Sequence, residues 1–255
     1  MLNFVEQGNA QNQSIVILHG LFGSLKNWNQ VSKQLAKDYY VISVDLRNHG
    51  DSFKSDEMSY ELMADDVYQL IQSLLLNTPI IMGHSMGGKV SMALVEKYPT
   101  LFFQLIVVDI APVNYQHSFN NLVEPILSID LNTLSSRKDA DELLKDSIKE
   151  DFVRLFLLQS LAKNESGWYW KNNWKVLSGN NTNITNTPIF NSTIGVKTLF
   201  VFGSESEYYT SEGVETIKQN FDNVSIDVIE GGNHWLHYQK ADQFMSILKQ
   251  NLLQK

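Results

Sequence analysis

Six short runs of β-branched and other apolar residues recur along the chain, each followed by a stretch long enough for a helix, and this spacing restricts the fold more than any other feature. The runs occupy 14–18, 41–44, 80–82, 105–108, 198–202 and 225–229. A strand that is apolar at nearly every position must be covered on both faces, which parallel strands flanked by helices achieve. The expected fold is therefore α/β, with a mostly parallel central sheet. Asp56 to Leu76 and Gln239 to Leu253 carry the i, i+3, i+4 apolar spacing of helices packed on such a sheet. At 255 residues the chain can bury a large core without staples.

The alternation breaks between Pro112 and Gly195, where no strong strand signal occurs and the residues are helical, aromatic and Asn-rich. That break divides the chain into a core of residues 1–112 and 195–255 and an inserted helical cap, or lid, of residues 113–194. Two aromatic groups stand out in the insert, Phe152 to Leu158 and Trp168-Tyr169-Trp170 with Trp174. They are expected to pack the cap onto the core, and Phe156 is a candidate for lining a substrate pocket.

Gly83-His84-Ser85-Met86-Gly87 lies between the apolar run 80–82 and a helix-like stretch from Lys89 to Lys97. A strand that turns at once into a helix forces its central residue into strained geometry, and side chains two positions to either side would collide with the turn. Glycine fits at both. The turn lifts the Ser85 hydroxyl out of the sheet, and free N–H groups at the helix start face any negative charge that develops beside it. Ser85 is the candidate nucleophile.

Composition narrows the chemistry further. The chain has no cysteine, which excludes disulfides, thiolate metal sites and a cysteine nucleophile. A net charge of −8 argues against nucleic acid as a partner, since phosphate binding needs clustered Lys and Arg. The N-terminus lacks a basic patch before an apolar core, and no apolar run approaches the roughly 18 residues of a membrane span. A cytoplasmic protein acting on a small molecule is expected, with no metal and no organic cofactor.

In a parallel sheet the functional groups sit at the carboxyl ends of strands. The first apolar run ends in His19-Gly20-Leu21-Phe22-Gly23, a loop whose backbone can approach a substrate closely. The backbone N–H groups of Leu21 and Met86 are the expected oxyanion donors, with Phe22 the fallback. A serine hydroxyl is a weak nucleophile until a neighbouring base takes its proton. Among six histidines, His234 in Gly231-Gly232-Asn233-His234-Trp235 follows the last strand, and it is the candidate base. His19 is expected to anchor its loop, His84 to point away, His117 to lie in the cap and His237 to open the final helix. Because a histidine base must be neutral, the rate is expected to fall below about pH 6 to 6.5.

The carboxylate that orients the base often follows the penultimate strand as Gly-x-x-Asp, but here that stretch reads Gly203-Ser204-Glu205-Ser206. The strand after the nucleophile helix ends instead in Asp109-Ile110-Ala111-Pro112. Asp109 is therefore the candidate acid, ahead of Glu205 and Glu207, and Ser206 is a candidate auxiliary hydrogen-bond donor. Phe22 and Trp235 join Phe156 as candidate pocket residues. Arg47 and Lys89, beside the motif loops, are either structural and solvated respectively or ligands for a charged head such as coenzyme A.

Ser85, Asp109 and His234 in their motifs resemble the α/β-hydrolase superfamily. Asp45 to Ser52, His19 to Ser24, Gly83 to Lys89 and Asp109 to Val113 together resemble the bacterial YbfF-type esterases, a likeness that spans the core and is weak in the cap. The resemblance implies an α/β-hydrolase fold with a small helical cap, and hydrolysis of acyl esters, with acyl-CoA thioesters among the substrates. It also implies an acid at the Asp109 position. A small-molecule acyl ester or thioester is the expected partner, cleaved through an acyl-enzyme on a Ser-Asp-His triad. Rival readings on the same residues are a carbon–carbon hydrolase, an aminopeptidase or a cofactor-free peroxidase, and, from another class, a ligand-binding receptor with little turnover.

Overall fold

The computed structural model describes the chain apart from His117 and residues 253–255. Nine strands lie within it: β1 (Phe4–Gln7), β2 (Ser14–Leu18), β3 (Tyr40–Val44), β4 (Ile80–His84), β5 (Gln104–Val108), β6 (Leu161–Asn164), β7 (Gly167–Trp170), β8 (Thr198–Gly203) and β9 (Val224–Ile229). Seven form one sheet in the order β1-β3-β2-β4-β5-β8-β9. Only β1 runs antiparallel to its neighbour; the other pairs are parallel. All six apolar runs are strands of this sheet.

Alternate residues of each strand serve opposite faces. In β2, Val16 and Leu18 join a core on one side with Ile42, Val44, Ile81 and Val107, beneath α1 (Asn29–Leu35)-distal helices α2 (Tyr60–Ser73) and α3 (Met86–Lys97). Ile15 and Ile17 join a second core on the other side, closed by Trp28, Leu35, Phe244 and Leu248. Burial on both faces accounts for the continuous apolar runs, and helix α2 begins where Ser59 accepts a hydrogen bond from the Leu62 N–H.

Between β5 and β8 the chain forms α4 (Asn120–Ser128), α5 (Arg137–Leu144), α6 (Asp151–Leu157), the antiparallel pair β6–β7, α7 (Trp174–Gly179) and α8 (Asn181–Thr185). The hairpin departs from the expectation of an all-helical insert, because two four-residue strands carry too little pattern to read. Val123, Ile126, Leu144 and Leu157 extend the first core into this segment. The last elements are α9 (Ser211–Asn220), α10 (Leu236–Gln239) and α11 (Ala241–Asn251). The expected single helix from Gln239 is therefore broken at Lys240, whose φ of −122° and ψ of 42° leave the helical region, and its expected end, Leu253, lies outside the described residues. Among the described residues no helix is long and apolar enough to cross a membrane.

Candidate active site

Strand register brings the candidate residues to one rim of the sheet. His84 pairs with Val108 and Val108 with Val201, so Ser85 and Asp109 are each the first residue beyond neighbouring strand ends. Both take left-handed backbone, with φ of 53° and 54°. For Ser85 the ψ of −120° is far from any ordinary turn, a conformation that costs about 1–3 kcal/mol and persists only when its surroundings enforce it. Here its N–H donates to Val108 O at 2.9 Å and its carbonyl accepts from Gly88 at 2.8 Å. The flanking glycines are obligatory: a Cβ on Gly83 would stand 2.1 Å from the Gly87 carbonyl oxygen, and one on Gly87 would stand 2.6 Å from that of His19.

Asp109 is fully buried and has three partners. Its Oδ2 accepts from His234 Nδ1 at 2.7 Å and from the Ser206 hydroxyl at 2.5 Å, and its Oδ1 accepts from the Gly203 N–H at 2.9 Å. A carboxylate taken out of water needs such satisfaction of its lone pairs. Of the carboxylates weighed for this place, Asp109 is the one bonded to His234. Glu207 lines the adjoining cavity, and Glu205 lies in the loop after β8.

The other described histidines are occupied structurally. His19 Nδ1 donates to Gly20 O at 2.8 Å while its Nε2 accepts from the Leu46 N–H at 3.0 Å, so it anchors its loop as expected. Burial holds it below the ordinary histidine range. His49 is arranged alike, donating to Arg47 O and accepting from the Phe22 N–H at 3.1 Å, and burial pushes it down to about 3. His237 lies in α10, stacked 4.5 Å from the Trp28 ring, and burial again takes it to about 3. His84 does not simply point away. Its Nε2 donates to the backbone carbonyl of His234 at 2.8 Å, which ties the His234 loop to the Ser85 turn. His117 lies outside the described residues.

The bond from Phe22 N–H to His49 removes Phe22 as a fallback oxyanion donor. Gly23, Ser24 and Leu25 donate to Gly20 O, Asn27 Oδ1 and Asp45 Oδ1 in turn. Among the described residues, neither the Leu21 N–H nor the Met86 N–H, which heads α3, is spent in this way.

Ser85 and His234 line one cavity of about 570 Å³, walled by Leu21, Phe22, Phe119, Phe156, Tyr208 and Trp235 among others. Phe22 also packs edge-on to Phe119 and 4.9 Å from Trp174, and Trp235 meets Phe152 and Phe156 edge-on. The aromatic groups of the insert thus divide: helix α6 faces the cavity, while Trp170 of the hairpin packs on Trp174 behind Phe22. Tyr208, its ring 4.4 Å from that of His234, was not singled out by the sequence, since nothing in a tyrosine of an acidic loop marks it.

Two basic residues resolve differently from each other. Arg47 grips Asp66 with two bonds of 2.6 and 2.9 Å and also donates to Glu57 O and Leu62 O, so it braces its loop. Lys89 corrects the expectation of a solvated side chain. Only 1% exposed, its Nζ donates to the carbonyls of Val113, Thr185 and Asn186 at 2.7–2.9 Å, and burial lowers its pKa to about 7.

Comparison with known proteins bears on the family and the fold. A family model described as alpha/beta hydrolase fold matches residues 13–241. The chain is 30% identical over 250 residues to esterase YbfF of Escherichia coli, covering 96% of this chain and 95% of that protein. It is 33% identical over 250 residues to the sn-1-specific diacylglycerol lipase of Danio rerio, covering 95% and 79%. A solved structure, a marine microorganism esterase, superposes with a TM-score of 0.95 at 34% identity over 98% of this chain and 99% of that one. The chain belongs to the α/β-hydrolase family, among the relatives of esterase YbfF.

Proposed function

We propose that the protein is a serine hydrolase of carboxylic esters, with thioesters open to the same chemistry. Ser85 Oγ attacks the carbonyl carbon while His234 takes its proton. The bond between Asp109 and His234 Nδ1 fixes the tautomer and leaves Nε2 as the basic nitrogen. The N–H groups of Met86 and Leu21 receive the developing oxyanion, a contribution of about 2.7–4 kcal/mol per donor in comparable sites. His234 then returns the proton to the departing alcohol or thiol, and water cleaves the acyl-enzyme by the same route in reverse. Ser206 and Gly203 act through Asp109, keeping its second oxygen and its orientation fixed. Residues 113–194 serve as the cap, supplying the α6 face of the cavity.

The observation that carries this reading is the 2.7 Å bond between Asp109 and His234, on a histidine that shares a cavity wall with a strained, upraised serine. The esterase and lipase relatives support it. Its test is a rate panel of p-nitrophenyl esters from acetate to palmitate beside acyl-CoA thioesters, run on wild type and Ser85→Ala. Ester turnover that disappears in the variant is the expected result; turnover that survives it refutes the reading.

A further inference from the structure

A second, much smaller cavity of about 30 Å³ opens on the other side of Ser85. The two compartments share Leu21, Ser85, Phe119 and Tyr208 as common walls, but His234 lines only the large one, and Met86 lines only the small one. This split, read together with the proposed hydrolysis on which it rests, orients the substrate. Attack forms the bond from Ser85 Oγ to the carbonyl carbon, and collapse breaks the bond to the leaving oxygen, which takes the proton that His234 received from Ser85. The leaving oxygen must therefore lie on the His234 side, in the large compartment. The acyl substituent, on the opposite side of the same carbon, is directed to the small one.

We propose that the protein selects esters of short, uncharged acyl groups with bulky apolar alcohols, the acyl group seated against Met86, Ile110 and Ile184 and the alcohol against Phe156 and Trp235. A water molecule needs about 10–15 Å³ of comparable volume, so the small compartment accepts on the order of two or three non-hydrogen atoms beyond the carbonyl carbon. Its polar neighbours do not ask for charge on the acyl group. Lys89 is spent on three carbonyls, and the Tyr60 hydroxyl donates to the Ile184 carbonyl.

Octyl acetate and methyl nonanoate are isomers that place the long chain on opposite sides of the ester. Wild-type kcat/KM is expected to favour octyl acetate by at least about 30-fold, the effect of two or three excluded methylenes, since roughly five or six carbons of the nonanoyl chain find no room. Equal rates, or a preference for methyl nonanoate, would overturn the assignment while leaving the hydrolase reading intact. Turnover of neither ester would sink both. Ile184→Ala enlarges the small compartment without touching the carbonyl that Tyr60 binds. The ratio of octyl hexanoate to octyl acetate turnover, taken on one preparation and so independent of how much of it is folded, should rise about 10-fold, and an unchanged ratio counts against the proposal.

Discussion

The rim of the sheet and the segment between β5 and β8 are built on opposite principles. At the rim, Asp109 has every oxygen committed, His19 and His49 latch adjacent loops through both ring nitrogens, and the backbone of Ser85 is bonded on either side. In the inserted segment, α6 turns apolar side chains toward an open cavity, and Leu155 is 60% exposed. Its polar ties to the core lie outside α6: Lys89 reaches its two ends at Val113 and at Thr185–Asn186, Lys171 pairs with Asp51, Asn172 bonds the Phe22 carbonyl, and Asn183 bonds that of Met58. A rigid rim suits chemistry that needs tightly fixed geometry, while an apolar wall suits selection among substrates. Substitutions at the rim should therefore act on kcat, and those in the insert on KM.

The sharpest way to break that division is Asp109→Asn. Losing the charge that holds the His234 tautomer should lower kcat by about 10³–10⁴-fold with KM little changed; a drop confined to KM would erase the contrast. Next comes Arg47→Ala, which removes one partner of a nearly buried pair. A stability loss of about 3–5 kcal/mol in urea unfolding is expected, with Michaelis constants for neutral and CoA esters shifting alike. A rise in KM for the CoA ester alone would make Arg47 a substrate ligand.

Lys89 separates the regions by pH. Its folded pKa, near 7, lies below that of the unfolded chain, so between about pH 7 and the ordinary lysine range the unfolded state binds a proton that the native state does not. Stability relative to Lys89→Met should then rise with pH by up to about 1.4 kcal/mol per unit across that window and stay level below it. A flat difference from pH 7 to 9 contradicts the buried, readily deprotonated amine. Ser206→Ala should slow kcat by about 10-fold, the worth of one hydrogen bond to a charged group, without moving KM. Least of all, Leu155→Ala should raise KM for octyl esters only about two- to threefold and leave kcat as it was.

The same contrast explains how much could be read from the chain. The rim was legible because sharp strand-to-helix turns admit only glycine at Gly83 and Gly87, and because Asp109 and His234 follow apolar strands that are plain in the sequence. Ser206, where a carboxylate usually stands, was conspicuous for the same reason. The burial of Lys89 was not legible, since lysines are normally exposed and its three carbonyl partners lie 24, 96 and 97 residues away. Strand β1 escaped notice because it is a four-residue edge strand with an exposed middle, and β6–β7 because Asn164 to Ser166 reads as one more polar stretch of an Asn-rich insert. The role of His84 needed coordinates, because the carbonyl it binds is 150 residues distant.

Trapping the acyl-enzyme reveals which residue carries the acyl group during turnover. Acid quenching during turnover of a p-nitrophenyl ester, followed by peptide mass spectrometry, should find the acyl group on Ser85 alone, and the burst of p-nitrophenol should vanish in Ser85→Ala and in His234→Ala. An acyl group on another residue, or an undiminished burst in either variant, would contradict the account.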